Sequence, residues 1–215
     1  MKYTIGQLIR VVVGLFVFSV GIVMTINASL GVSPWDVFHQ GLSNTLGITL
    51  GQANIIVGFF IIFLDIILGQ NIGWATLLNM MLIGIFIDLL MLNHIIPEST
   101  TILAGVIMLL TGILIEGYGC FIYVSAGMGA GPRDGLMVVL TKRTGKSVRM
   151  IKTSIEIVAV IVGMILGGKF GIGTIIMATF GGQIFQVAFK SVKFDIKEVR
   201  HRFIQDDIKL IRQKG

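Results

Sequence analysis

The sequence predicts an all-α membrane protein of six transmembrane helices. They form two inverted-topology three-helix repeats, each with a Gly/Pro break and a short helix after its first span. Three observations predict this class. The mean hydropathy is +0.92, with 54% hydrophobic and only 13% charged residues, where a soluble domain carries about 25% charged. So few polar side chains cannot cover a water-facing surface, and lipid must be part of the solvent. Six apolar stretches approach the roughly 20 residues that cross a bilayer. Finally, a shift of 98 residues lays the first half on the second.

The spans fall at about 8–27, 51–69, 72–93, 102–124, 149–167 and 172–190. The first follows Lys2 and Arg10, as a signal peptide would, but it has a counterpart in mid-chain and is therefore read as structure. Orientation follows from Lys and Arg. The loops 28–50 and 94–101 contain neither, whereas 125–148 carries Arg133, Lys142, Arg143 and Lys146, and eight of the 17 basic residues lie between Lys190 and Lys214. The positive-inside rule places both termini in the cytoplasm, and only Lys169 departs from it. This placement also accounts for the net charge of +6 without nucleic acid.

The 98-residue shift superimposes fourteen identities between Gly14 and Gly84, ten of them Gly, Pro, Asp or Thr rather than interchangeable aliphatics. Among them Gly14, Gly21, Gly31, Pro34, Asp36, Gly73 and Thr76 fall on Gly112, Gly119, Gly129, Pro132, Asp134, Gly171 and Thr174. Each half holds three spans, an odd number, so the second must enter the membrane the other way up. The loop 28–50, without Lys or Arg, and its basic counterpart 126–148 say the same. The organisation expected is a first repeat at 1–95, a second at 96–192 and a basic amphipathic tail at 193–215.

The most specific motif is the pair Gly31-Val32-Ser33-Pro34-Trp35-Asp36 and Gly129-Ala130-Gly131-Pro132-Arg133-Asp134. Ser33 suits a helix cap, Pro34 the first helical position, and Asp36 a capping box, so a short helix is expected at about 34–45. Gly131 takes the cap place for a second at about 132–143. Interrupted helices in inverted repeats frame the sites of secondary transporters, and their N-termini favour an anionic or carbonyl group. Gly31, Ser33, Pro34, Asp36, Gly129, Gly131, Pro132, Arg133 and Asp134 are therefore the candidate substrate-binding residues. The plainer role for both aspartates is capping.

Ionisable residues at membrane depth are the second lead, because burial there is costly. Glu116 and Glu156 should lie at similar depth. Lys152 stands one turn before Glu156, at pairing distance. The three form a candidate ion-coupling site or, more plainly, a structural ion pair with a hydrogen-bonded Glu116. Their counterparts Phe18, Gly58 and Asn54 carry no charge, so the halves differ where chemistry would matter. Asp65 and Asp88, near helix ends, are expected to be solvated. Asn27, Asn54, Asn79, Gln183 and Gln186 are expected to hydrogen-bond between helices. His39, His94 and His201 are too scattered for a metal set, and Cys120 is alone. No catalytic motif appears; neither enzyme activity nor a cofactor or metal is expected. The tail alternates Phe194, Ile196, Val199, Phe203, Ile208 and Ile211 with charge, which suits the inner leaflet or, alternatively, a partner.

The two Pro–x–Asp segments and the six-helix layout resemble the bacterial YczE-like membrane proteins, grouped with YyaS and YitT. The chain does not carry the extra soluble C-terminal domain typical of YitT-type relatives, which favours the YczE branch. The resemblance implies the bacterial cytoplasmic membrane and brings no substrate with it. The leading functional expectation is a small secondary transporter or permease with its site between the repeats. The alternatives are a passive channel and a membrane scaffold or accessory protein that binds a partner through its tail. Lipid and a small solute are the partners expected, with a homo-oligomer as a further assembly.

Overall fold

Helix starts and stops are set by short polar signals between apolar runs. In a computed structural model, residues 5–212 are described, and among them all regular structure is helical. The order is α1 (Ile5–Asn27), α2 (Pro34–Leu46), α3 (Leu50–Ile67), α4 (Trp74–Leu92), α5 (Ile102–Val124), α6 (Pro132–Thr144), α7 (Val148–Ile165), α8 (Ile172–Ser191), a 3-10 turn at Ile196–Glu198 and α9 (Ile204–Arg212). Lys2 and Lys214, used above to orient the chain, lie outside the described residues.

Ser33, Thr49, Thr101 and Ser147 each accept a hydrogen bond from the backbone N–H three residues on, opening α2, α3, α5 and α7. α4 and α8 open on Gly73 and Gly171 instead, whose N–H groups donate to Thr76 Oγ1 at 3.3 Å and Thr174 Oγ1 at 3.2 Å. α2 and α6 both begin on proline and stop at a left-handed glycine, Gly47 (φ 65°) and Gly145 (φ 67°), a conformation glycine adopts without a Cβ clash.

Helix lengths recur in order: 23, 13, 18 and 19 residues in α1–α4, then 23, 13, 18 and 20 in α5–α8. Packing exchanges the two sets. α1 lies on α4 and α5 on α8, while α2 packs on α7 and α6 on α3, and α1 crosses α5 at the centre. Individual bonds exchange too. Ala75 N–H donates to Met128 O at 2.9 Å, and its counterpart Gly173 donates to Leu30 O, the counterpart of Met128, at 2.7 Å.

Five helices are long and apolar enough to cross a membrane: α1, α3, α4, α5 and α8. The sixth expected span, α7, has 18 residues but carries Arg149, Lys152 and Glu156 in its first half.

One exchange fails. α3 and α4 pack closely, with Gly51 against the Gly84 backbone and Asp88 accepting the Gly51 N–H at 2.8 Å and the Thr49 hydroxyl at 2.5 Å. α7 and α8 make almost no contact. Asp88 is thus tied to the start of α3 rather than simply solvated. Asp65 is also corrected: it is fully buried, with neither carboxyl oxygen hydrogen-bonded, because Gly135 on α6 leaves room for it.

The tail does not run free along the bundle. Phe194 packs on Phe121 and Phe189 at ring separations of 5.0 and 5.3 Å. Arg202 N–H donates to Gly127 O and Ile204 N–H to Ile72 O, both at 2.9 Å, and His201 Nδ1 accepts the Gly129 N–H at 3.3 Å. Segment 194–204 thereby ties together the two turns that precede α4 and α6.

Two outcomes are expected. Gly51→Val should cost roughly 1–3 kcal/mol by overpacking the α3–α4 contact, whereas Gly182→Ala, at the equivalent of Gly84, should stay within about 0.5 kcal/mol. Denaturation of both variants in micelles compares them. For the tail, burial holds the His201 imidazole below its ordinary 6.5. The undocked tail therefore takes up a proton more readily, so docking is strongest above about pH 6.5 and weakens as the pH falls through it. The protection of the Arg202 and Ile204 amides, measured against their intrinsic exchange rates, should fall as the pH is lowered through that range.

Candidate functional site

The two short helices bring their N-termini together at the centre of the bundle. Ser33 Oγ accepts the Asp36 N–H at 3.2 Å and donates to Asp36 Oδ2 at 2.5 Å. Asp36 Oδ1 lies 3.1 Å from Nδ1 of His39, one helical turn on, and His39 Nε2 lies 3.1 Å from the Arg133 guanidinium at the start of α6. Arginine only donates, so Nε2 accepts, and Nδ1 carries the proton that it gives to Asp36. The result is a buried chain, Ser33–Asp36–His39–Arg133, that joins the two halves. The Arg133 guanidinium also lies 4.8 Å from the centroid of the Trp35 ring. Trp35 and Arg133 are equivalent under the 98-residue shift, so the stack forms between counterparts.

Beside this chain is a cavity of about 370 Å³. Ser33, Pro34 and Trp35 line it from α2, and Gly131, Pro132, Arg133 and Asp134 from α6. Glu116 enters from α5, and Lys152 and Glu156 from α7. Asn54 and Asn79 complete the polar lining, while Phe18, Tyr123, Phe185 and Phe189 supply aromatic faces. Lys152 Nζ and Glu156 Oε1 are 3.4 Å apart, the i,i+4 pair expected. Glu116 is 8% exposed, and its Oε1 has no hydrogen-bond partner. An unpaired buried carboxyl oxygen is costly and calls for a function. Arg133 lies in the electrostatic field of Asp36, Asp134 and Glu116.

Of the twelve candidates, nine line the cavity. Asp36 lies behind the wall, where it braces His39. Gly31 (φ 104°) and Gly129 (φ 113°) lie apart from it. They bring the chain against Gly171 and Thr174, and against Gly73 and Thr76, where a Cβ has no room. His39 belongs to the site although the sequence pattern gives it no metal-binding partners. Its spacing of three from Asp36 on one helix was the available signal. No group of three or more His, Cys, Asp or Glu is placed to hold a metal ion among the described residues.

A family model described as a family of unknown function, DUF6198, matches residues 5–190. The chain belongs to DUF6198. The chain is similar to the "Uncharacterized membrane protein YczE" of Bacillus subtilis, 39% identical over 175 residues that cover 80% of each chain. An uncharacterized protein of Haemophilus influenzae is 31% identical over 172 residues, covering 80% of this chain and 78% of that one. The uncharacterized protein YyaS of Bacillus subtilis is 27% identical over 179 residues, or 81% and 88% of the two chains. The resemblance read from the Pro–x–Asp segments is thereby shown, and this DUF6198 chain is a membrane protein. No solved structure matches it.

A double-mutant cycle tests the buried chain. Asp36→Ala alone should cost roughly 1–3 kcal/mol or more, because it strands the His39 N–H. Combined with His39→Ala, the coupling should fall at about 0.5–3 kcal/mol. Additive losses in chemical denaturation would mean that the two residues act separately.

Proposed function

We propose that this protein is a small secondary transporter for a small solute in the bacterial cytoplasmic membrane. In this reading two inverted three-helix repeats, 1–95 and 96–192, hold the solute between them. The observation that carries it is the meeting of two short-helix N-termini, one from each half, at a buried charged chain beside a cavity. Non-spanning backbone at membrane depth is tolerated only where protein or a cavity surrounds it. Transporter sites arise at the interface of such repeats.

The exchanged packing of α1–α4 and α5–α8 supports the inverted arrangement. α7 then serves as the sixth span, with Arg149 and Lys152 at its inner end, where long basic side chains reach the headgroups. Both termini are cytoplasmic. Coupling runs through Glu116 or Glu156, two of the three carboxyls on the wall. The tail is engaged with its own inner turns, which argues against a primary role in capturing a partner.

The test starts with purified full-length protein, whose unfolding is followed against a panel of small anions, amino acids, cations and lipophilic drugs. A ligand at 100 times its Kd should stabilise by about 2.7 kcal/mol. In proteoliposomes that ligand should accumulate under a pH gradient. Glu116→Gln or Glu156→Gln should abolish accumulation while leaving protein abundance unchanged. Conductance that survives both changes would instead establish a channel.

A further inference from the structure

One wall of the central cavity is loosely packed, and the sequence difference that loosens it is visible. In the first half, Gly51 and Gly84 bring α3 and α4 together; a Cβ on Gly84 would lie 2.6 Å from Ile55 Cγ1. The 98-residue shift puts Arg149 in place of Gly51 and Gln186 in place of Asp88. The close contact and its acceptor are both lost, and α7 and α8 part. A Cβ on Gly181 or Gly182 meets nothing within 4 Å. Gly182, in the gap between α7 and α8, is exposed and lines the cavity.

Behind this gap the charges do not balance. Three carboxyls line the cavity, Glu116, Asp134 and Glu156, against two bases, Arg133 and Lys152. Lys152 is paired with Glu156. Arg133 is bonded to His39 and adjoins Asp134. Glu116 remains, more than nine-tenths buried, with a free oxygen in a wall of aromatic rings. The N-termini of α2 and α6 would by themselves favour an anion. Each, however, already has its own acid in the first turn, Asp36 and Asp134.

We propose that the cavity binds an amphiphilic organic cation, an ammonium or phosphonium, reached from the lipid between α7 and α8. Glu116 supplies the counter-charge, and the faces of Trp35, Tyr123 and Phe185 supply cation–π contact. The apolar part of the ligand occupies the gap. A proton and the cation compete for one carboxylate, so each weakens the other by the same factor. That competition would couple uptake of one to release of the other. The proposal rests on reading this cavity as the solute site.

The test uses full-length protein in nanodiscs of uncharged phosphatidylcholine. The chain has two tryptophans, and Trp74→Phe leaves Trp35 as the sole reporter in the cavity wall. Tetraphenylphosphonium should change Trp35 fluorescence saturably, more tightly at higher pH. Tetraphenylborate, of the same shape and opposite charge, should not. Glu116→Gln should weaken phosphonium binding by about tenfold or more, equivalent to roughly 1.4 kcal/mol, whereas Glu116→Asp should retain it. Gly182→Leu, which fills the gap, should slow association.

Unchanged affinity in a folded Glu116→Gln variant, or preference for the borate, overturns the cation assignment. An unchanged association rate in Gly182→Leu overturns access between α7 and α8. If neither probe reaches Trp35 while another solute stabilises the protein and is accumulated, the cation proposal fails and the transporter reading stands.

Discussion

The crossing of α1 over α5 is the constraint on which the rest of the structure depends. Gly14 and Gly21 on α1 meet Gly119 and Gly112 on α5, each pair being the exchanged counterpart of the other. A Cβ on Gly21 would lie 2.7 Å from the Glu116 nitrogen and the Gly112 oxygen, and one on Gly119 would lie 2.6 Å from Phe18 Cα. In lipid there is little hydrophobic drive between helices, so close van der Waals approach of backbones must supply the attraction. The crossing fixes where α5 stands. It presses the Glu116 stem onto Gly21 and leaves its carboxyl facing the cavity. A larger residue at Gly21 would move the wall carboxyl whose Oε1 has no hydrogen-bond partner.

Much of this architecture was legible because glycine, proline and hydroxyl residues specify backbone geometry almost locally. The two Pro–x–Asp starts, the two short helices they open and the Lys152–Glu156 pair all appear where the sequence puts them. Three features were not legible, each because it depends on a partner distant in the chain. His39 looked like an isolated histidine, since Arg133 lies 94 residues away. Asp65 sits near a helix end and looked solvated, but α6 covers it where Gly135 replaces a side chain. The tail has an amphipathic pattern suited to a membrane surface, and that pattern cannot distinguish lipid from the turns of the protein that the tail meets.

The equivalent contact in the other half shows how local volumes are traded. Asp65 and Gly135 correspond to Gly163 and Val37 under the shift. Gly163 lies against the Val37 backbone and Gly135 against the Asp65 carboxylate, so the glycine changes sides between the two contacts. Dense interiors admit such exchanges because total volume is conserved. This is why the frame could stay alike in both halves while side chains diverged.

Divergence is concentrated at the cavity and follows a direction. Phe18, Trp35, Gly51, Asn54 and Gly58 in the first half correspond to Glu116, Arg133, Arg149, Lys152 and Glu156 in the second. The first half thus supplies close packing and aromatic surface, the second charge and a gap. A symmetric pair of halves would place two like charges against each other across the centre, at a cost that burial makes severe. Putting an uncharged residue opposite each charge avoids that cost, and the Trp35–Arg133 stack is the clearest case. The tail adds a further asymmetry. It ties Ile72 and Gly127 together at one end of the bundle and places Ile196 in the cavity wall. Movement of the halves about the α1–α5 crossing would therefore meet different resistance at the two ends, with the tail-bound end the stiffer.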